Sequence, residues 1–255
     1  MSRLRIGVDV GGTTIKSALV DVSTGRLASA KEVTPTPSPA TMPAVVAVVG
    51  ELARRQRVGC PEAAVGIGVP ISVRDDGILS GPGLHPSWDG VSSQQSFAQV
   101  ENVHSAVNDA DAAAIAEVEH GALVSVEGTA VLLTLGTGIG ICLSRDGVIF
   151  PNVEIGFLPW RDGCSAEQLL GSVARERRGL DWSAWAVEFS AYLEAVFDMF
   201  QPETIVIGGG VSEIGDEFLH LLHAPCDLAL AHFRGDAGIV GAAIGATSTA
   251  LRRRA

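Results

Sequence analysis

Residues 7–16 read GVDVGGTTIK. An apolar run interrupted by Asp9 and ending in Gly11-Gly12-Thr13-Thr14 describes a buried strand that runs into a tight turn. Ordering two adjacent glycines is entropically expensive, so such a turn implies something that approaches its backbone closely. Backbone N–H groups in a turn of this kind point outward and form an anion-binding nest, and the threonine hydroxyls add further donors.

The same design recurs twice. GTAVLLTLGTGIGICLSRDGVIF (128–150) reads as strand, glycine loop (Gly136-Thr137-Gly138-Ile139-Gly140), strand, then a hairpin turn at Asp146-Gly147. ETIVIGGGV (203–211) reads as a strand ending in Gly208-Gly209-Gly210. None of the three is a GxxxxGK[ST] loop. GTGIG leads into a strand and not a helix, so it is not a dinucleotide fingerprint either. Three glycine turns, each at a strand end, point to a protein that handles phosphate. The 128–150 unit echoes the first, which implies two similar halves.

Working outward, the first strand covers 3–10, an alternating strand follows over Ser17–Val22, and a turn at Ser23-Thr24-Gly25 leads to another strand. PTPSPAT (35–41) is a proline-rich loop, and Thr41 or Ser38 is the candidate cap of a helix over about Pro43–Arg55. AAVGIGVPI (63–71) is a buried strand. Residues 72–98 read as irregular, 165–200 as helical, and AGIVGAAIGATSTALRRR as a closing helix of small residues. VHSAVND is a strand whose end, Asn108-Asp109, begins the helix ADAAAIAEVEHGA. Asp109 therefore stands at a strand–helix junction. There it can be a plain N-cap or a carboxylate that takes a proton from a reacting hydroxyl.

The 255 residues, 47% hydrophobic and 18% charged, are enough for a substantial core. The net charge of -11 comes with no basic stripe, which argues against nucleic-acid binding. Arg252-Arg253-Arg254 read as a solvated helix end. Four scattered cysteines without CxxC spacing indicate neither zinc nor a disulfide framework. No signal peptide or membrane-spanning run is visible, and the expected location is the cytoplasm.

VDVGGTTIKSALVD, VNDADAAAIAE, LTLGTGIGICL and IVIGGGVS together resemble the phosphate and catalytic segments of the ROK family of sugar kinases, in the actin/hexokinase-like superfamily. TPTPSPAT, PNVEIG, SVARERRGLDWSAWA and AGIVGAA bring the chain nearest to the actinobacterial polyphosphate glucokinases. The resemblance implies an α/β fold of two lobes around a cleft, each lobe with a mixed five-stranded sheet of the ribonuclease H-like type. The expected division is residues 1–107, joined by a C-terminal helix over 239–254, and residues 108–238. It also implies phosphoryl transfer from polyphosphate or ATP to a sugar hydroxyl, and a homodimer. In this reading Gly11, Gly12, Thr13, Thr14, Lys16, Gly136, Thr137, Gly138, Gly208, Gly209 and Gly210 bind the donor. Asp9 holds Mg²⁺ through water, Asp109 is the general base and Asn108 binds a sugar hydroxyl. Asp111 favours the helix N-terminus by its charge.

The acceptor side departs from the family. The usual ExGH is Glu154-Ile155-Gly156-Phe157, with phenylalanine for the histidine. Pro159 and Trp160 stand where a further glutamate is usual, Pro70-Ile71 replace Pro-Gly, and Gly83 takes the place of an asparagine. Each change removes a polar partner or adds bulk in a pocket that works by hydrogen-bonding hydroxyls. An apolar wall of Phe157, Trp160 and Trp88 around a modified acceptor is one reading. The other is an ordinary hexose, with Phe157 and Trp160 in the core and His85 supplying the lost bonds. Arg175, Arg177 and Arg178 are candidates for a polyphosphate track, or else a solvated helix face. A non-catalytic regulator is the remaining alternative. Family repressors carry an N-terminal DNA-binding extension, for which a first strand beginning near residue 3 leaves no room.

Overall fold

The computed structural model describes residues 3–81 and 84–246. Its centre is β1 (Leu4–Val10), which pairs antiparallel with β2 (Thr14–Asp21) and sets Asp9 opposite Lys16. β3 (Arg26–Leu27) and β4 (Glu32–Pro35) share the outer edge of β2. After α1 (Met42–Gln56), β5 (Val65–Val69) joins the other side of β1 in parallel. β6 (Ser72–Val73) and β7 (Leu79–Ser80) form a short hairpin, and a 3₁₀ turn (Pro86–Trp88) and α2 (Ser93–Ser96) follow. β8 (Val103–Asn108) then completes the order β3-β2-β1-β5-β8. This sheet has six strands, not the five expected, because the segment after Gly25 splits into two short strands that take successive parts of one edge.

α3 (Asp109–His120) leads to the second sheet. β9 (Thr129–Leu135), β10 (Ile139–Arg145) and β11 (Val148–Phe150) repeat the antiparallel run. β12 (Pro159–Arg161) and β13 (Cys164–Ser165) form a separate hairpin. α4 (Ala166–Leu170), α5 (Ser172–Arg177) and α6 (Trp182–Phe200) follow. β14 (Thr204–Gly208) lies parallel to β9, and β15 (Asp227–Leu230) parallel to β14. The order β11-β10-β9-β14-β15 has the connectivity and strand directions of the first sheet, so the echo in the sequence is a repeat in topology. The two sheets and the cleft between them make this the two-lobed actin/hexokinase-like fold.

The last described helix, α7 (Ala237–Gly245), lies with α3 between the sheets. Its small residues have a steric cause. A Cβ on Gly7 would fall 1.9 Å from the Ile239 carbonyl oxygen, and one on Gly241 would fall 1.5 Å from that of Ala112. The middle core therefore packs backbone on backbone: Ala18, Val20, Ala113, Ala116, Leu132, Val206, Ile239 and Val240 fill it. The outer cores are bulkier. α1 covers the first sheet with Val45, Val49 and Leu52, and α6 covers the second with Trp185, Phe189 and Leu193.

Three local expectations change. The span 165–200 is three helices and not one, broken at Gly171 and again beyond Arg178, where Gly179 has φ +65°. The N-cap residue of α1 is Thr41, yet neither its side chain nor that of Ser38 caps the helix; the Met42 amide donates to Ser87 Oγ at 2.9 Å from the distant 3₁₀ turn. The described residues of the stretch 72–98 include the β6–β7 hairpin, that turn and α2. Residues 247–254 of the expected closing helix, with Arg252–Arg254, lie outside the described residues. Among the described residues no helix is long and apolar enough to cross a membrane.

Candidate active site

A cleft of about 590 Å³ opens between the sheets, and the glycine turns meet in it. Gly11, Gly12, Thr13 and Thr14 line it from the first sheet, and Gly136, Thr137, Gly138, Gly209 and Gly210 from the second. Thr13 and Thr137 touch hydroxyl to hydroxyl at 2.9 Å, so the two loops close on each other. Each turn is internally tied. The Gly11 amide donates to the Thr14 carbonyl at 3.0 Å, and the Ser172 hydroxyl holds the Gly136 carbonyl at 2.6 Å. Gly209, at φ +77°, passes so close to Leu135 that a Cβ would fall 2.5 Å from its carbonyl oxygen. Gly208 is different. It is buried inside β14, where a Cβ would meet Ala231 and Leu132, so it spaces the sheet and does not line the cleft.

Two aspartates stand together at the floor. A Cβ on Gly68 of β5 would lie 3.7 Å from both Asp9 Oδ1 and the Asp109 Cα. Asp9 also abuts the start of α7, 2.6 Å from where a Gly238 Cβ would be. Burial pushes the Asp9 carboxyl up, and neighbouring Lys16 opposes the shift. Asp109 is pushed well above the ordinary carboxylate range by burial first, then by the charges of Asp9 and Glu154. Its Oδ1 accepts the Ala110 amide at 2.8 Å.

The helix cap that Asp109 might have been is Asn108. Its Oδ1 accepts the amides of Ala110 (2.9 Å) and Asp111 (3.2 Å), and its Nδ2 donates to Glu154 Oε1 at 2.9 Å. Asn108 is thus buried and committed to capping and to orienting Glu154. It does not line the cleft as an acceptor-binding residue. Glu154 lines the cleft and also accepts Ser72 Oγ at 3.4 Å; burial and the charge of Asp111 raise its carboxyl. Asp111 is buried, pushed up to about 6 by burial, and holds the Asn152 amide at 2.8 Å.

Phe157 lines the cleft and is 40% exposed. The rest of the expected apolar wall is elsewhere. Trp88 is fully buried in the outer core of the first sheet, its indole N–H donating to the Ala40 carbonyl. Trp160 packs edge-on against Tyr192 and carries Arg161 on its face. His85 caps the Pro86–Trp88 turn through Nδ1, which accepts the Ser87 amide, and it is off the cleft wall. Gly83 lies outside the described residues. Leu84 and Pro70 supply apolar lining instead.

The three arginines of the candidate track do not line the cleft and are engaged locally. Arg178 forms a bidentate ion pair with Glu188, Arg177 donates to the Gln168 carbonyl, and Arg175 donates to the Leu180 carbonyl while stacking on Trp182. The cations that do line the cleft are Lys16, which also donates to the Gly235 carbonyl at 3.2 Å, and Arg234, which contacts the Ser212 carbonyl. Arg234 and the cleft-lining Glu167 went unread in the sequence. Arg234 has one local signal, its place just before the small-residue helix. Glu167 has none: it reaches the cleft under Gly138, whose Cβ would fall 2.1 Å from Glu167 Oε2.

The chain is similar to known proteins over most of its length. Residues 5–152 match the model of the ROK family. The chain is 33% identical over 240 residues to the polyphosphate glucokinase of Mycobacterium tuberculosis (strain CDC 1551 / Oshkosh), covering 93% of this chain and 89% of that one. It is 27% identical to the kanosamine kinase of Amycolatopsis mediterranei (strain S699), over 80% of each. The crystal structure of inorganic polyphosphate/ATP-glucomannokinase from Arthrobacter sp. strain KM superposes with a TM-score of 0.91 at 36% identity, covering 96% of this chain and 98% of that one.

Proposed function

The chain belongs to the ROK family, and we propose that it is a sugar kinase moving a phosphoryl group from polyphosphate or ATP to a hydroxyl of glucose or a related or modified sugar. The observation that carries this reading is the position of Asp109: a half-buried carboxylate in the cleft that the three glycine turns converge on. The turns supply backbone N–H groups for the donor's phosphates, with Lys16 and Arg234 adding positive charge. The acceptor hydroxyl lies against Asp109, which takes its proton as the oxygen forms its bond to phosphorus and the remaining phosphate leaves. The hydroxyl needs positioning more than activation, as kinase catalysis is chiefly placement and charge neutralisation. Lobe closure, with the second sheet moving against the first sheet and the α3–α7 layer packed on it, would keep water from intercepting the phosphoryl group.

Among the described residues no three His, Cys, Asp or Glu side chains group as a metal cage. The half-buried carboxylate of Asp9, beside the glycine turns, suits Mg²⁺, which keeps several waters and takes few protein ligands. When bound there it would neutralise charge on the phosphates. Assembly as a homodimer, which rests on family resemblance, and a cytoplasmic location belong to the same proposal.

Glu154 and Glu167 are polar groups offered to the acceptor, and Phe157 stands with Leu84 and Pro70 on the apolar side. An exposed aromatic where relatives place histidine favours a second reading, in which the acceptor is a deoxy, amino or otherwise modified sugar; one relative is named for kanosamine. The test pairs Mg²⁺ with ATP or polyphosphate against glucose, mannose, glucosamine, deoxy sugars and cyclitols. Turnover of glucose supports the first reading, and turnover confined to a modified sugar supports the second. No phosphoryl transfer to any of them defeats both.

A further inference from the structure

Asn152 stands two residues before Glu154, at φ +62° in the left-handed region. Its side chain acts as a strand partner for β6. The Val73 amide donates to Asn152 Oδ1 at 2.8 Å, and Asn152 Nδ2 donates to the Val73 carbonyl at 3.0 Å. Its own amide donates to Asp111 at 2.8 Å. One residue of the chain leaving the second sheet is thus fastened both to the hairpin that follows β5 and to the first turn of α3. Glu154 follows the same pattern, since its bonds run to Ser72 and Asn108, the immediate neighbours of Val73 and Asp109. The segment's other contacts are with the second sheet: Val153 and Ile155 pack on that core, and in the 3₁₀ turn (Ile155–Phe157) a Cβ on Gly156 would fall 2.4 Å from the Ile139 carbonyl oxygen.

We infer that Asn152 is a positioning residue for phosphoryl transfer: its double bond to Val73 aims Glu154 at the acceptor and keeps it registered on Asp109. This rests on the kinase reading above. In chain order and in the packing of Val153 and Ile155 the segment belongs with the second sheet, but the side-chain bonds of Asn152 and Glu154 run to the first, so these bonds are what registers Glu154 on the catalytic aspartates. A displacement of about 1 Å in a positioning group can cost about 100-fold in rate, and the side chain of Asn152 restrains the backbone of the segment against such a shift, alongside Glu154's own bonds to Ser72 and Asn108.

The test is steady-state kinetics of Asn152→Gly and Asn152→Asp on the acceptor found for the wild type. Glycine accepts the positive φ, keeps the amide bond to Asp111 and removes only the side-chain pair. The expected result is a fall of ten- to a hundredfold in kcat/KM for the acceptor, with donor KM within about twofold of wild type. Asn152→Asp keeps a partner for the Val73 amide and loses the one for its carbonyl, so its loss should be smaller. Unchanged acceptor kinetics in Asn152→Gly overturns the inference. So does a loss that falls equally on donor and acceptor and tracks a drop in Tm, which is what a purely structural role would give. A wild type that phosphorylates no acceptor removes the kinase reading and the inference with it, and the wild-type control separates that failure from the others.

Discussion

Asp109→Asn is expected to separate activity from stability, because the features that would make Asp109 a base also make it costly to the fold. Asparagine is nearly isosteric, and its Oδ1 can go on accepting the Ala110 amide. What it loses is the ability to take a proton, worth about 10²- to 10⁴-fold, or about 3–5 kcal/mol on the barrier at 1.36 kcal/mol per decade. What it gains is relief of repulsion among Asp109, Asp9 and Glu154. The sign follows from linkage. Burial and those neighbours raise the folded carboxyl above its unfolded value, so the folded state holds its proton longer. Stability is then lost as pH rises from the ordinary carboxylate value, about 4, through the elevated folded one. Wild type and variant should melt together near pH 4, and the variant should melt at the same temperature or higher at pH 7. The assays are kcat with saturating donor and acceptor, and Tm across that range. Turnover within tenfold of wild type would remove Asp109 as the base. A variant with lower Tm at pH 7 would refute the repulsion account.

Phe157→His should lower KM for glucose, as Phe157 lines the cleft; glucose and modified-sugar kinetics both unchanged would place Phe157 outside acceptor contact. Arg234→Gln should raise donor KM about tenfold with kcat little changed, whereas Arg178→Gln should leave donor KM alone because its guanidinium is already held by Glu188. Donor titrations of the two variants check both statements. Glu117 is fully buried and accepts the amides of Ala122, His232 and Phe233, so it ties the end of α3 to the segment entering α7. Glu117→Ala strands those amides and should cost about 3–5 kcal/mol, read as a Tm lower by about 10 °C or more.

The strand-to-glycine turns were legible because their signal is local. Apolar runs, adjacent glycines and the Asp146-Gly147 hairpin each lie within a few residues, and their recurrence gave the repeated topology. Asp109 was legible for the same reason, standing at a strand–helix junction, although its neighbour Asn108 took the cap. The acceptor wall was not legible, because what a tryptophan faces is decided far away in sequence. Trp88 goes to the core to meet Ala40 and Trp160 to meet Tyr192. Nor do the ARERRG residues announce their local partners, Glu188 for Arg178 and the Trp182 face for Arg175. Glu167 and Arg234 reach the cleft only through chain reversals that no local pattern announces.

The small-residue middle layer gives these placements a mechanical meaning. α7 meets the backbone of β1 at Gly7, that of β5 at Gly66 and that of α3 at Gly241, in each case at a carbonyl where any Cβ would clash below 2 Å. Such contacts leave no side chain to reorient, so β1, β5, α3 and α7 behave as one stiff body. Asp9 is on β1, Asp109 opens α3, and Gly238 at the start of α7 presses on Asp9. The spacing of the two aspartates is therefore fixed by backbone packing before any ligand binds, which is what a preorganised reaction centre requires. The freedom left to the cleft lies in the 136–140 loop and in the Glu154 segment. Of these, the segment is fastened to the stiff body by Asn152 and Asn108, and the loop meets it at the contact between Thr13 and Thr137. Closure on a donor should then move the phosphate loop toward a base and a Glu154 that are already in register.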